Sequence, residues 1–120
     1  PETALLGEAF AQLEAYFAGR RKTFALPLRF DEGTPFMKQV WQALCTVPYA
    51  HTASYKDIAE AVGNPKACRA VGMANNRNPI AIIVPCHRII GSAGALVGYG
   101  GGLGMKERLL ELERRYGPAD

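Results

Sequence analysis

The stretch Ser54-Tyr55-Lys56-Asp57-Ile58-Ala59-Glu60-Ala61-Val62-Gly63-Asn64-Pro65-Lys66-Ala67-Cys68-Arg69-Ala70-Val71-Gly72 decides how the rest of the chain is read. Ser54 followed three residues later by Asp57 is a capping-box variant, so a helix starts there. Tyr55, Ile58, Ala59 and Val62 fall on its inward side, and Gly63 ends it. Asn64-Pro65 opens a second helix at once, expected to run through Lys66 to about Asn75. Two short helices joined by Gly-Asn-Pro form a helix-turn-helix pattern, which many folds that never touch DNA also contain. The second helix is slim. Ala67, Ala70, Gly72 and Ala74 give it little bulk, and a glycine inside a helix costs about 1 kcal/mol against alanine. Such a face admits a close neighbour, either another helix or a nucleic-acid groove.

Upstream, Thr34-Pro35 is a helix start: a capping hydroxyl followed by proline at the first helical position. Phe36, Val40, Trp41, Leu44 and Val47 make its apolar stripe, and Pro48 stops it. Residues 23–33 read as an extended linker with anchors Phe24, Leu26, Leu28 and Phe30. Glu2 to Ala18 has helical periodicity, with Leu5, Leu6, Phe10, Leu13, Tyr16 and Phe17 on one side and Gly19 as its stop. Downstream, Ile80-Ala81-Ile82-Ile83-Val84 between Pro79 and Pro85 reads as a buried strand or extended run. Ile89-Ile90, a Gly91–Gly94 turn and Leu96-Val97 suggest a small hairpin. The glycine-rich loop Gly98-Tyr99-Gly100-Gly101-Gly102 leads into a last helix from Met105 to Arg115.

At 120 residues and 48% hydrophobic, the chain is one domain, or one domain with a short appendage. Composition excludes disorder, collagen and coiled coil. No window approaches the ~18 apolar residues of a membrane span, and Pro1-Glu2-Thr3 does not begin a secretion signal, so a cytoplasmic setting is expected. The missing initial Met hints at a trimmed or partial chain. Cys45, Cys68 and Cys86 form no C-x-x-C pair and, with two histidines, spell no metal site; they read as free thiols in a reducing compartment. Net charge is +3, and residues 34–105 carry six basic groups against two acidic ones. That cationic block suits a polyanion partner, or is an ordinary solvated surface.

The densest chemistry is Asn78-Pro79 followed by Pro85-Cys86-His87-Arg88. A cysteine beside a histidine is a candidate activated nucleophile, because the thiolate is the reactive form and a base raises its fraction. The competing reading is a buried structural cysteine. Neighbours on a strand point to opposite faces, so His87 reaches Cys86 only if Pro85 ends the strand or a water bridges the two.

Pro85-Cys86-His87-Arg88-Ile89 resembles the acceptor-cysteine signature of the O6-alkylguanine-DNA alkyltransferases, also called methylated-DNA–protein-cysteine methyltransferases. Ser54-Tyr55, Asn64-Pro65-Lys66-Ala67, Arg69-Ala70-Val71-Gly72, Asn78-Pro79, Gly98-Tyr99 and Lys106-Glu107 stand at the intervals of that family, bacterial in type, over roughly residues 30–115. The resemblance implies a mainly α fold with a small β component. A winged helix-turn-helix-like, DNA-binding and catalytic domain (34–120) would follow a residual N-terminal helix and linker (1–33), without most of the usual preceding α/β domain. It implies Cys86 as alkyl acceptor, His87 as its base through a water, and Glu113 as the group that orients His87. Asn78 would tie the helix-turn-helix to the active-site strand, and Tyr55 would help the base depart. Arg69 would fill the space left in the duplex, with Lys66, Ala67 and Ala70 beside it in the minor groove. Ile89, Tyr99 and Gly100 would line the base pocket, with the carbonyls of Cys86 and Ile89 on the guanine edge.

The implied reaction is DNA repair: one irreversible transfer of an alkyl group from O6 of a flipped-out guanine to the cysteine, with no cofactor and no metal. The partner would be double-stranded DNA containing O6-alkylguanine. The alternative is a non-catalytic alkyltransferase-like lesion-binding module, against which Cys86 speaks. A cysteine hydrolase built on Cys86-His87 is a weaker third reading, since it leaves Arg69 unexplained. The face Leu5, Phe10, Leu13 and Phe17 is expected to pack on the domain in part and to leave a patch open for self-association.

Overall fold

Side-chain caps set the starts of two helices, at Thr34 and at Ser54. The computed structural model describes residues 2–91 and 102–117. In chain order these form α1 (Glu2–Phe17), α2 (Pro35–Leu44), β1 (Ala53–Ser54), α3 (Tyr55–Ala61), α4 (Cys68–Asn76), a 3-10 turn (Cys86–Arg88), β2 (Ile89–Ile90) and α5 (Leu103–Tyr116). The fold is mainly helical with a two-stranded sheet, as the sequence suggests.

Thr34 caps α2 by accepting the Met37 N–H at 3.1 Å, with Pro35 in the first turn. The helix ends at Leu44 and not at Pro48, because the amides of Cys45, Thr46 and Val47 each bond three residues back and tighten the chain into turns. Ser54 and Asp57 cap α3 reciprocally at 2.9 and 3.0 Å. Helix α4 begins at Cys68, later than expected. Pro65 holds Asn64 out of the helical region, and residues 64–67 close a turn through Ala67 N–H to Asn64 O, 3.0 Å.

Helices α2, α3 and α4 pack on one another. Their core is Val40, Trp41, Leu44, Ile58, Ala59, Val71 and Ala74, closed by Val84, Cys86 and Ile89. The Trp41 indole N–H donates to Ala74 O at 2.8 Å and ties α2 to α4.

The run 80–84 is not a strand. It is a tight turn closed by Val84 N–H to Ile80 O at 3.0 Å, with Ala81 exposed and Ile82 at φ 76°. The Asn78 side chain supplies what a neighbouring strand would have supplied. It donates to Val84 O at 2.8 Å and accepts the Ile80 N–H at 3.0 Å. Ile89–Ile90 pairs in parallel with Ala53–Ser54, a partner the local pattern does not reveal. Leu96-Val97, the other arm of the expected hairpin, lies outside the described residues.

Helix α1 turns a different face inward from the one its apolar residues suggest. Gln12 and Tyr16 are buried, whereas Leu5, Leu6, Phe10 and Phe17 are exposed. The stripe Leu6, Phe10, Leu13 and Phe17 lies roughly 100° around the helix from the Gln12–Tyr16 line. Gln12 fixes the helix to the linker by two bonds, donating to Ala25 O at 3.2 Å and accepting the Ala25 N–H at 2.9 Å. Two linker anchors do pack as expected: the Phe24 ring lies 5.5 Å from Tyr16 and the Phe30 ring 5.1 Å from Trp41. Gly19 ends α1 at φ 77°, and a Cβ there would stand 2.3 Å from the Tyr116 ring, so only glycine lets α5 come this close.

Candidate active site

Pro85 takes the chain out of extended geometry, and Cys86–Arg88 winds into a 3-10 turn. The alternation that would separate Cys86 from His87 on a strand therefore does not apply. Cys86 is 3% exposed and His87 is fully buried.

Opposite the turn, α5 presents Glu113, also fully buried. Its carboxylate is the hub of the site. His87 Nε2 lies 2.6 Å from Oε2. Arg88 donates from Nε to Oε1 and from Nη2 to Oε2, both at 2.9 Å, and its Nη1 donates to Val47 O at 2.8 Å. The Ala50 N–H reaches Oε1 at 3.1 Å, from a residue held at φ 63°. The Tyr16 hydroxyl donates to Oε2 at 2.5 Å.

The charges follow from these contacts. Burial pushes the Glu113 carboxyl up, but the hydrogen bonds and charges of His87 and Arg88 outweigh it and bring it to about 2. Burial pushes the His87 imidazole below its ordinary value against the pull of Glu113, so the ring is neutral at pH 7. Arg88 is the permanent cation that balances the carboxylate. With His87 Nε2–H donated to Glu113, Nδ1 carries the lone pair, and it makes no hydrogen bond among the described residues. The cluster thus holds a neutral, oriented base in the same turn as a buried thiol.

Tyr55 is half-buried on α3, and burial raises its hydroxyl, with a further rise from the charge of Cys86. Asn78 clasps residues 80–84 ahead of the turn rather than a strand. Asn75, on the inner face of α4, donates to Cys86 O at 3.4 Å. Lys106 is fully buried and its ammonium donates to Ile89 O; burial lowers its pKa. Both carbonyls read as guanine contacts thus carry a protein donor, which leaves each one lone pair. The Ile89 side chain itself lies in the core. Arg69 and Ala70 are exposed on the outer face of α4 with Met73, and in the turn just before the helix Lys66 is exposed and Ala67 half-buried. Tyr99 and Gly100 lie outside the described residues. No group of three or more His, Cys, Asp or Glu that could hold a metal occurs among the described residues.

Sequence reasoning missed Tyr16, which it placed in an apolar stripe, and the parts played by Arg88, Ala50 and Asn75. Only Arg88 stood in a visible motif. Tyr16 meets Glu113 across 97 positions, a separation without local signature.

A helical frame with a helix-turn-helix at its surface thus encloses a buried cysteine, histidine and glutamate. Residues 35–115 match the family described as 6-O-methylguanine DNA methyltransferase, DNA binding domain, and residues 1–30 match its ribonuclease-like domain. The chain is 60% identical over 114 residues to a methylated-DNA–protein-cysteine methyltransferase of Mycobacterium leprae, covering 95% of this chain and 68% of that one. It resembles the crystal structure of the Mycobacterium tuberculosis protein in complex with DNA, with TM-score 0.88, 55% identity, and 92% of this chain and 67% of that one covered. It also resembles the S. pombe Atl1 structure in complex with damaged DNA containing O6-carboxymethylguanine, with TM-score 0.55, 32% identity, and coverage of 74% and 79%. The chain belongs to the methylated-DNA–protein-cysteine methyltransferase family, enzymes of DNA repair by alkyl transfer.

Proposed function

We propose that Cys86 accepts the alkyl group from O6 of guanine in double-stranded DNA, once per chain. The observation that carries this is the neutral, buried His87, fixed through Nε2 on Glu113 at 2.6 Å, beside the buried Cys86 thiol. The thiol proton passes through a water to His87 Nδ1. The sulfur then bonds to the alkyl carbon, the carbon–O6 bond breaks, and its electron pair stays on guanine. Tyr55 donates to the departing base. The product is a thioether that water does not hydrolyse, so no second turnover follows.

A thiol this buried cannot meet a base stacked in a duplex, so the nucleotide is flipped out at a cost of a few kcal/mol. Arg69 fills the gap it leaves, while Lys66, Ala67 and Ala70 let α4 lie in the minor groove. The Ile89 carbonyl meets the guanine edge, and Asn78 braces the segment before the acceptor. The three free thiols suit a cytoplasmic setting. The exposed outer stripe of α1 is a surface for self-association.

Mixing the protein with O6-methylguanine duplex and weighing it intact tests the reading. The expected result is a gain of one methyl group, mapped to Cys86, at about one per chain. Cys86→Ser binds the duplex and gains nothing. In the same assay Arg69→Ala slows transfer from duplex more than from single-stranded DNA. Label on Cys45 or Cys68, or many repairs per chain, overturns the mechanism.

A further inference from the structure

We infer that Tyr16, on the helix that precedes the DNA-binding domain, is a positioning residue of the alkyl-transfer relay, its hydroxyl holding Glu113 in the state that orients His87. This rests on the reading of His87 as the base for Cys86.

Three observations carry it. The Tyr16 hydroxyl, fully buried, donates at 2.5 Å to Oε2, the same oxygen that receives His87 Nε2 at 2.6 Å. The position needs no hydroxyl for packing. The ring sits in an apolar cluster with Tyr49 and Leu109, against Phe24, which phenylalanine would fill equally. The contact also crosses the family's own division, since Tyr16 lies in the stretch matched to the ribonuclease-like domain and Glu113 in the stretch matched to the DNA-binding domain.

The groups that bear on the pair come from every side. They are Tyr16 from α1, Tyr49 and the Ala50 amide from the loop after α2, His87 and Arg88 from the 3-10 turn, and Lys106 from α5. Arg88 and Ala50 occupy Oε1, while Oε2 is shared among Tyr16, His87 and Arg88. Each donor on Oε2 withdraws electron density that would otherwise stabilise an imidazolium at His87. Burial and the neighbouring carboxylate keep the phenol protonated, so it stays a donor across the working pH range. Removing it therefore makes His87 easier to protonate and frees the carboxylate to rotate. Both effects reduce the fraction of neutral, oriented imidazole.

The test is single-turnover methyl transfer from O6-methylguanine duplex as a function of pH, for the wild type, Tyr16→Phe, Glu113→Gln and the double variant. Tyr16→Phe is expected to slow transfer about tenfold at pH 7 and leave duplex affinity unchanged. It should also move the acid limb of the rate profile to higher pH. In the Glu113→Gln background the same change should cost nothing further, because Tyr16 acts only through Glu113. A wild-type profile for Tyr16→Phe, with Glu113→Gln impaired, overturns the role of Tyr16 and leaves the relay standing. Unimpaired Glu113→Gln overturns the relay itself, and the Tyr16 inference with it. If Tyr16→Phe does not fold, a fluorinated tyrosine at position 16, a stronger donor of nearly the same shape, must move the acid limb to lower pH. An unmoved limb overturns the inference.

Discussion

Glu113 takes three side-chain donors in the interior, and Arg88 is the one that brings a permanent charge. That division decides how the fold responds to acid. His87 binds a proton less readily when folded than the ordinary histidine at 6.5, because it is buried. Stability from this residue is complete above about pH 6.5 and is lost as pH falls toward the folded value. Glu113 is held at about 2 against an ordinary 4.5, so its stability is present above 4.5 and drains away as pH falls toward 2. Chemical denaturation at pH 7.5, 5.5 and 3.5 is expected to give a lower unfolding free energy at each step, by at most about 1.4 kcal/mol per pH unit for each group. His87→Gln removes most of the first step and keeps the part of the second that Arg88 sustains. An unchanged first step in that variant would assign the loss to another group. At this scale Cys86 and His87 were legible as a neighbouring pair, and the contact of Glu113 with His87 was legible through family resemblance. Tyr16 and the Ala50 amide were not, because a hub of contacts from distant residues leaves no periodic or spaced signal.

Among the elements, α4 shows how a local expectation can be right about a close neighbour and still overstate the steric need for it. Its slimness was plain in Ala67, Ala70, Gly72 and Ala74. The neighbour at Gly72 is another helix: the Tyr55 ring of α3, whose Cε1 a Cβ there would meet at 3.7 Å, an ordinary contact. Packing thus leaves room for alanine, and the glycine costs helix stability without steric need. Gly72→Ala is expected to raise the unfolding free energy by about 0.5–1 kcal/mol, read from denaturant melts. A loss instead would mean that the Tyr55 ring needs the open face. The caps of α2 and α3 could be read directly because serine, threonine and aspartate bond within three residues. The run 80–84 could not. An apolar segment between two prolines looks the same as a strand or as a turn, and only the Asn78 side chain, bonding both ends of it, decides.

For the molecule as a whole, the unsettled surface is the outer stripe of α1. Phe10 is 63% exposed and Leu6 57%, and side chains of this size each gain roughly 1.5–3 kcal/mol on full burial. Sedimentation is expected to show concentration-dependent association that Phe10→Glu abolishes, with methyl transfer unaffected because Phe10 is exposed, on a different face of α1 from the buried Tyr16. A monomeric parent at all concentrations would dismiss the surface. The sequence pattern found the apolar residues of α1 and expected part of them to pack and part to stay open, but not which residues seat the helix. It counted hydrophobic side chains, whereas the helix is seated by Gln12 and Tyr16, whose polar ends find partners in the interior.

Trp41 is the protein's single tryptophan. Its indole is buried, tilted against the Phe30 ring and bonded through its N–H to the Ala74 carbonyl on α4. The chain therefore carries its own optical gauge. Tryptophan emission shifts with the polarity around the ring, and this ring senses whether the helix proposed to face DNA is seated on the body. Any event that unseats α4 registers as a change of colour without a label.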